Sequence, residues 1–142
     1  MKLLILAMLF FSISAHAEKI ADFNLPIYSQ DKKFQLSENL KNKKVFINFW
    51  ATWCISCIQE MPLLEKLKEQ YGNDVVFVAV NAGEATNLID RFMRKHKFSF
   101  IILKDEDRAF SKSVGVDSLP VSLVIDKDMN VVYRGITPPK EL

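Results

Sequence analysis

Cys54 and Cys57 are the only two cysteines among the 142 residues, and they stand in the segment Trp53-Cys54-Ile55-Ser56-Cys57. Two thiols at this spacing can close a small ring, so one sulfur can attack a disulfide and the other can release the product. Only a thiolate attacks. A helix N-terminus favours that form, because its unpaired N–H groups and dipole bring a thiol pKa from about 8.5 into a range of about 3.5 to 7.5. The flanking residues predict this setting. Val45-Phe46-Ile47-Asn48-Phe49-Trp50 has the length and the β-branched and aromatic content of a buried strand. After the cysteines, Ile58, Met61, Leu64, Leu67 and Tyr71 recur at helical spacing, with Gln59, Lys66, Glu69 and Gln70 largely on the other side.

Other uses of a paired thiol fit less well. Covalent haem attachment needs a histidine directly after the second cysteine, where this chain has Ile58. Structural zinc takes four ligands, whereas the chain offers two thiols and His96, His16 lying in a leader-like segment. A permanent structural bridge across two residues closes too small a loop to restrict the unfolded chain much. A copper(I) carrier remains a rival of another class, since soft thiolates suit that ion; the lack of a neighbouring His or Met ligand motif counts against it. No metal and no other cofactor is expected.

Lys2 precedes the apolar stretch Leu3 to Phe11, and Ala15-His16-Ala17 has the small-x-small pattern of a signal-peptidase site. Residues 1–17 therefore read as a signal peptide cleaved after Ala17, leaving one domain over 18–142, exported to the periplasm or the outer face of the cytoplasmic membrane. The alternative is an uncleaved anchor, although the apolar stretch is well short of the ~20 residues that span a bilayer. Export suits a working disulfide. The formal net charge of +2 gives no pointer to nucleic acid. Lys41, Lys43 and Lys44 read as a solvated loop, docking of an acidic partner being the other reading.

The elements follow from pattern. Residues 20–36 form an extended lead-in of two short strands, interrupted at Pro26 and Ser29 to Lys33, and Ser37 caps a short turn. A strand over 45–50, a helix over 54–71 stopped by Gly72, and a strand over 75–80 make a β-α-β unit with parallel strands. A helix over 84–95 buries Leu88, Ile89, Phe92 and Met93; a strand over 98–103 and a short helix over 108–113 come next. The runs 121–125 and 131–134 form an antiparallel hairpin. The fold class is α/β, a mixed central sheet flanked by helices. His96, in Arg94-Lys95-His96-Lys97, caps or solvates a helix end. With four glycines there is no glycine-rich phosphate loop.

Phe49-Trp50-Ala51-Thr52-Trp53-Cys54-Ile55-Ser56-Cys57, the downstream Glu60-Met61-Pro62, and Leu119-Pro120 before a hairpin strand together resemble thioredoxin-fold proteins, most closely the exported TlpA/ResA group of thiol-disulfide oxidoreductases. The resemblance spans roughly residues 20 to 135 and includes the N-terminal strand extension and the inserted helix of that group. It implies a cis bond at Leu119-Pro120, which with Trp53 would hold a bound peptide beside the disulfide. Asn48 occupies the place where thioredoxin carries a buried aspartate, which moves the search for a proton-handling group to Glu60, a surface acid on residue type alone. Trp50 reads as core, and Pro62 as a structural kink. The resemblance further implies Cys54 as nucleophile, Cys57 as resolving thiol, an exported disulfide protein such as an apocytochrome c as substrate, and a membrane thiol-electron donor. Monomeric behaviour is expected. Ile55-Ser56 places no charge between the cysteines and so leans towards a reductant, an oxidase or isomerase being the alternative. Similar proteins finish with a helix on the sheet, whereas Pro138-Pro139-Lys140-Glu141-Leu142 is too short for one. One sheet face is expected to be partly bare.

Overall fold

The computed structural model describes residues 17–142. The signal peptide expected over 1–17 thus lies almost wholly outside the described residues. Strands β1 (Asn24–Pro26) and β2 (Lys33–Gln35) and helix α1 (Leu36–Asn39) lead into β3 (Lys44–Trp50), α2 (Ile55–Tyr71) and β4 (Val75–Ala82). Helix α3 (Thr86–Met93), β5 (Ile101–Asp105), α4 (Ala109–Ser113), β6 (Val121–Ile125) and β7 (Val131–Gly135) complete the order. The main sheet runs β5-β4-β3-β6-β7. Strands β3, β4 and β5 are parallel, and β6 and β7 antiparallel, as the β-α-β and hairpin patterns predict.

Strand β3 is central, and alternation along it builds two cores. Phe46 and Trp50 pack with Met61, Leu64 and Phe92 on the face covered by α2 and α3. Val45, Ile47 and Phe49 pack with Leu36 and Phe110 on the opposite face, under α1, α4 and the lead-in. Burying each such side chain contributes roughly 1.5 to 3 kcal/mol. Trp50 is fully enclosed.

Both sheet edges are partly covered by the chain that precedes β3. Beside β5, Tyr28 donates its N–H to the Ile102 carbonyl at 2.8 Å, and beside β7, Val131 donates to the Glu18 carbonyl at 2.7 Å. Such cover blunts edges that would otherwise pair with another chain.

Several local expectations are corrected. Ser37 does not cap α1 but sits within it; its N–H and hydroxyl donate to the Asp22 carboxylate at 2.9 and 2.8 Å. Helix α3 starts two residues later than the pattern predicts, because Glu84 is drawn into the site instead, and Leu88 faces outward while Ile89 and Phe92 are buried. The fifth strand begins at Ile101 rather than Phe98, since Phe98 and Phe100 stack on each other at 4.6 Å between centroids in the core. Gly72 ends α2 as the pattern predicts, in right-handed backbone where a Cβ would lie 2.6 Å from the Lys68 carbonyl oxygen. Helix α2 continues through Pro62 to Tyr71. Residues 136–142 hold no helix, and Tyr133 and Leu142 pack against the α2-side core.

Candidate dithiol site

The two cysteines are joined as a disulfide, with Cα atoms 5.2 Å apart. Cys54 is the N-cap of α2, and its Sγ accepts the Cys57 N–H at 3.2 Å. Its carbonyl accepts the Ile58 N–H, and its own N–H donates to Ala51. A helix start therefore supplies the first sulfur with a backbone donor and the positive end of the dipole. Cys54 is 4% exposed and Cys57 0%, so the sulfur reachable from outside is the first. Trp53 and Ile55, the chain neighbours of Cys54, are 66% and 72% exposed. The Ser56 hydroxyl lies 3.7 Å from the Cys54 sulfur.

The turn ahead of Cys54 is held from below by a residue that pattern reading assigned to a helix. Glu84 is 5% exposed. Its carboxylate accepts the Thr52 N–H at 2.7 Å, the Thr52 hydroxyl at 2.5 Å and the Asn81 side-chain amide at 2.7 Å. Asn81 ends the parallel pairing of β4 with β3 opposite Trp50. The C-terminal end of β4 is thereby tied to the segment that aims the thiols.

On the other side of the pair, Leu119-Pro120 forms the cis bond that the resemblance implies. A groove of about 610 Å³ runs between this bond and α2, lined by Ser56, Glu60, Leu119, Pro120, Ile136 and Thr137. Ile136 is largely exposed, an apolar wall of the groove outside the residues singled out by sequence. Glu60, Leu119 and Pro120 are thus brought together, whereas Trp53 stands outside this groove.

Glu60 reaches from α2 towards β3, where the Asn48 side-chain amide donates to its Oε1 at 2.9 Å. Burial pushes the Glu60 carboxyl above its ordinary value, and the Asn48 hydrogen bond works against that rise. The same amide donates to the Ser122 hydroxyl at 3.3 Å, across the register pair Asn48–Ser122. His96 is stacked on Phe92 at 4.2 Å and makes no hydrogen bond to either thiol. Among the described residues no group of three or more His, Cys, Asp or Glu side chains could hold a metal ion.

A family model for Redoxin matches residues 15–141. The chain belongs to the Redoxin family. This Redoxin-family chain is 36% identical over 106 residues to the thiol-disulfide oxidoreductase ResA of Bacillus thuringiensis (strain Al Hakam), covering 74% of its own length and 61% of that relative. It thus spans less than two thirds of that protein. The thioredoxin-like protein YneN of Bacillus subtilis (strain 168) is 34% identical over 130 residues, covering 88% of this chain and 75% of the relative. Among solved structures, the exposed lipoprotein thioredoxin Etrx1 of Streptococcus pneumoniae strain TIGR4 superposes with a TM-score of 0.73 at 25% identity, covering 84% of this chain and 92% of that one. The Redoxin-family chain accordingly has the thioredoxin-like α/β fold, its mixed sheet carrying the disulfide at the start of α2.

Besides Ile136, sequence reading missed Glu84 with its partner Asn81, and Ser122. Asn81-Ala82-Gly83-Glu84 directly follows the apolar run 75–80, whose strand is parallel to the one that leads to the cysteines, and the C-terminal ends of parallel strands are where sites gather in α/β sheets. That position was the available signal for Glu84. Ser122 had none beyond its place two residues after Pro120.

Proposed function

We propose that this protein is a thiol-disulfide oxidoreductase that reduces disulfides of exported proteins. The observation that carries the reading is the Cys54 sulfur seated as the acceptor at the α2 N-terminus, with Cys57 buried one turn on. In the reduced protein the Cys54 thiolate attacks a substrate disulfide, and one substrate sulfur departs as a thiolate. Glu60 takes the Cys57 proton, and the resulting thiolate attacks the Cys54 sulfur of the mixed disulfide. The second substrate sulfur leaves as a thiolate, which takes up a proton from Glu60 or water. Two electrons have then passed to the substrate, and Cys54–Cys57 is the disulfide again, to be reduced by an external dithiol.

The groove between Leu119-Pro120 and α2 holds the substrate peptide, and the exposed Trp53 beside Cys54 in the chain offers it a further apolar contact. A Cys-x-x-Cys-His segment of an apocytochrome c is the substrate class we favour, and a membrane thiol carrier is the electron donor. Both suit a chain exported by a leader over 1–17. A reducing direction is supported by the neutral surroundings of the sulfur: Ile55 and Ser56 lie between the cysteines and bring no cation to stabilise a reduced thiolate.

The test is a Cys57→Ser variant, reduced and offered a disulfide-bonded Cys-x-x-Cys-His peptide. A covalent Cys54–peptide adduct should accumulate, and turnover should stop. Undiminished turnover in that variant overturns the scheme. A redox titration of the wild-type pair against glutathione fixes the direction, a pair easily reduced by glutathione marking an oxidase or isomerase.

A further inference from the structure

Asn48 occupies the middle of the central strand, is buried, and spends its amide on two bonds. Nδ2 donates to Glu60 and to Ser122, while the carbonyl oxygen Oδ1 is enclosed without any partner among the described residues. A lone buried acceptor is destabilising, and an apolar side chain of similar size would avoid it. Packing alone therefore does not account for an amide here. What an amide offers, and an ionised carboxylate does not, is a donor and an acceptor that exchange places by a half-turn about one bond.

We propose that Asn48 is the positioning residue for Glu60 in both of its protonation states. It donates through Nδ2 while Glu60 is a carboxylate and, turned over, accepts through Oδ1 once Glu60 carries a proton, Nδ2 then taking the enclosed place of Oδ1. Ser122 is the pivot. Its hydroxyl accepts from Nδ2 in the first arrangement and donates to Oδ1 in the second, so the link between β3 and β6 survives the turn. The proton exchanged is the one that leaves Cys57 when it resolves the mixed disulfide: the S–H bond breaks, an O–H bond forms on Glu60, and no electrons move in that transfer. Because β6 follows Pro120 directly and α2 with its N-cap carries both thiols, the amide also joins the two walls of the groove through a bond that persists whether the proton is on sulfur or on oxygen.

The inference rests on Glu60 as the proton acceptor, and the experiment separates the two. In the oxidised wild-type protein, the Asn48 side-chain N–H signals, followed by ¹⁵N NMR, should shift with pH along the same curve as the ¹³C signal of the Glu60 carboxyl. In Glu60→Gln they should be invariant. Asn48→Leu should move the Glu60 titration up by about one pH unit, since the donor to the charged form is lost while burial persists. Its effect on the pH profile of disulfide reduction should vanish in the Glu60→Gln background. Ser122→Ala is the milder variant and should leave Asn48 coupled to Glu60 with broadened N–H signals. Asn48 signals that ignore the Glu60 titration overturn the inference, whatever the variants do. A Glu60→Gln enzyme with an unaltered pH profile instead removes Glu60 from the reaction and takes the inference with it.

Discussion

The Glu84 carboxylate accepts both the backbone N–H and the hydroxyl of Thr52, at 2.7 and 2.5 Å, two residues ahead of Cys54. A loop residue after β4 thus sets the backbone from which the reactive sulfur projects. Glu84→Ala leaves the Thr52 N–H and the buried Asn81 amide unpaired and should lower stability by about 2 to 4 kcal/mol, with slower attack by Cys54. Glu84→Gln retains an acceptor for both N–H groups, and the Thr52 hydroxyl can turn to accept from the new amide. It should lie within about 1 kcal/mol of wild type. Urea midpoints and thiol-trapping rates for the two variants check this, and equal damage from both would show that the charge, not the bonding pattern, is required.

Glu60 imposes a stability cost that grows with pH. Its carboxyl is raised above the ordinary value of 4.5, first by burial, against the opposing bond from Asn48. Below the unfolded value the group is protonated in both states and contributes nothing to the pH slope. Between the unfolded and folded values the native state binds more protons, so stability declines as pH rises, and above the folded value the loss is complete. Glu60→Gln removes this component. Denaturant midpoints of the oxidised protein should therefore separate, with the variant gaining on wild type as pH rises from acid to neutral; parallel curves would contradict the assignment.

Trp53 is 66% exposed and outside both cores. Trp53→Ala should change stability by less than about 0.5 kcal/mol. The rate of reduction of a folded protein disulfide should nevertheless fall several-fold, while a small reagent such as an aromatic disulfide should react at close to the wild-type rate. Identical losses with both substrates would point to a structural role.

Asp105, whose side chain bonds only to α4, provides the control. Its buried carboxylate accepts the Phe110 N–H at 3.1 Å, the Ser111 N–H at 2.7 Å and the Ser111 hydroxyl at 2.5 Å, closing the start of α4. Asp105→Ala should cost about 2 to 4 kcal/mol by leaving these donors unpaired. At a temperature where the variant is folded, its thiol reactivity should match wild type.

The order of elements was legible because hydrophobic period and turn chemistry are local: the strand at 45–50, the helix after Cys54 and the terminal hairpin all stand where the pattern puts them. What escaped was set by contacts between residues distant in the chain. Asp22 reaches Ser37 across 15 positions and displaces the serine as the cap, and Glu84 leaves a plausible helix start to reach Thr52 across 32. Phe98 and Phe100 have strand-like character, yet the aromatic cluster with Phe46 and Phe77 holds them short of the sheet. The cysteines and Pro120 were readable from motif; the partners that hold Asn48 and Glu60 required the fold.

Because the Cys54 sulfur is also the first acceptor of its helix, whatever becomes bonded to that atom is felt by the Cys57 amide. The opening turn of α2 is then an internal gauge of the pair, and protection of that single amide against solvent deuterium would register each stage of the exchange without a label on either thiol.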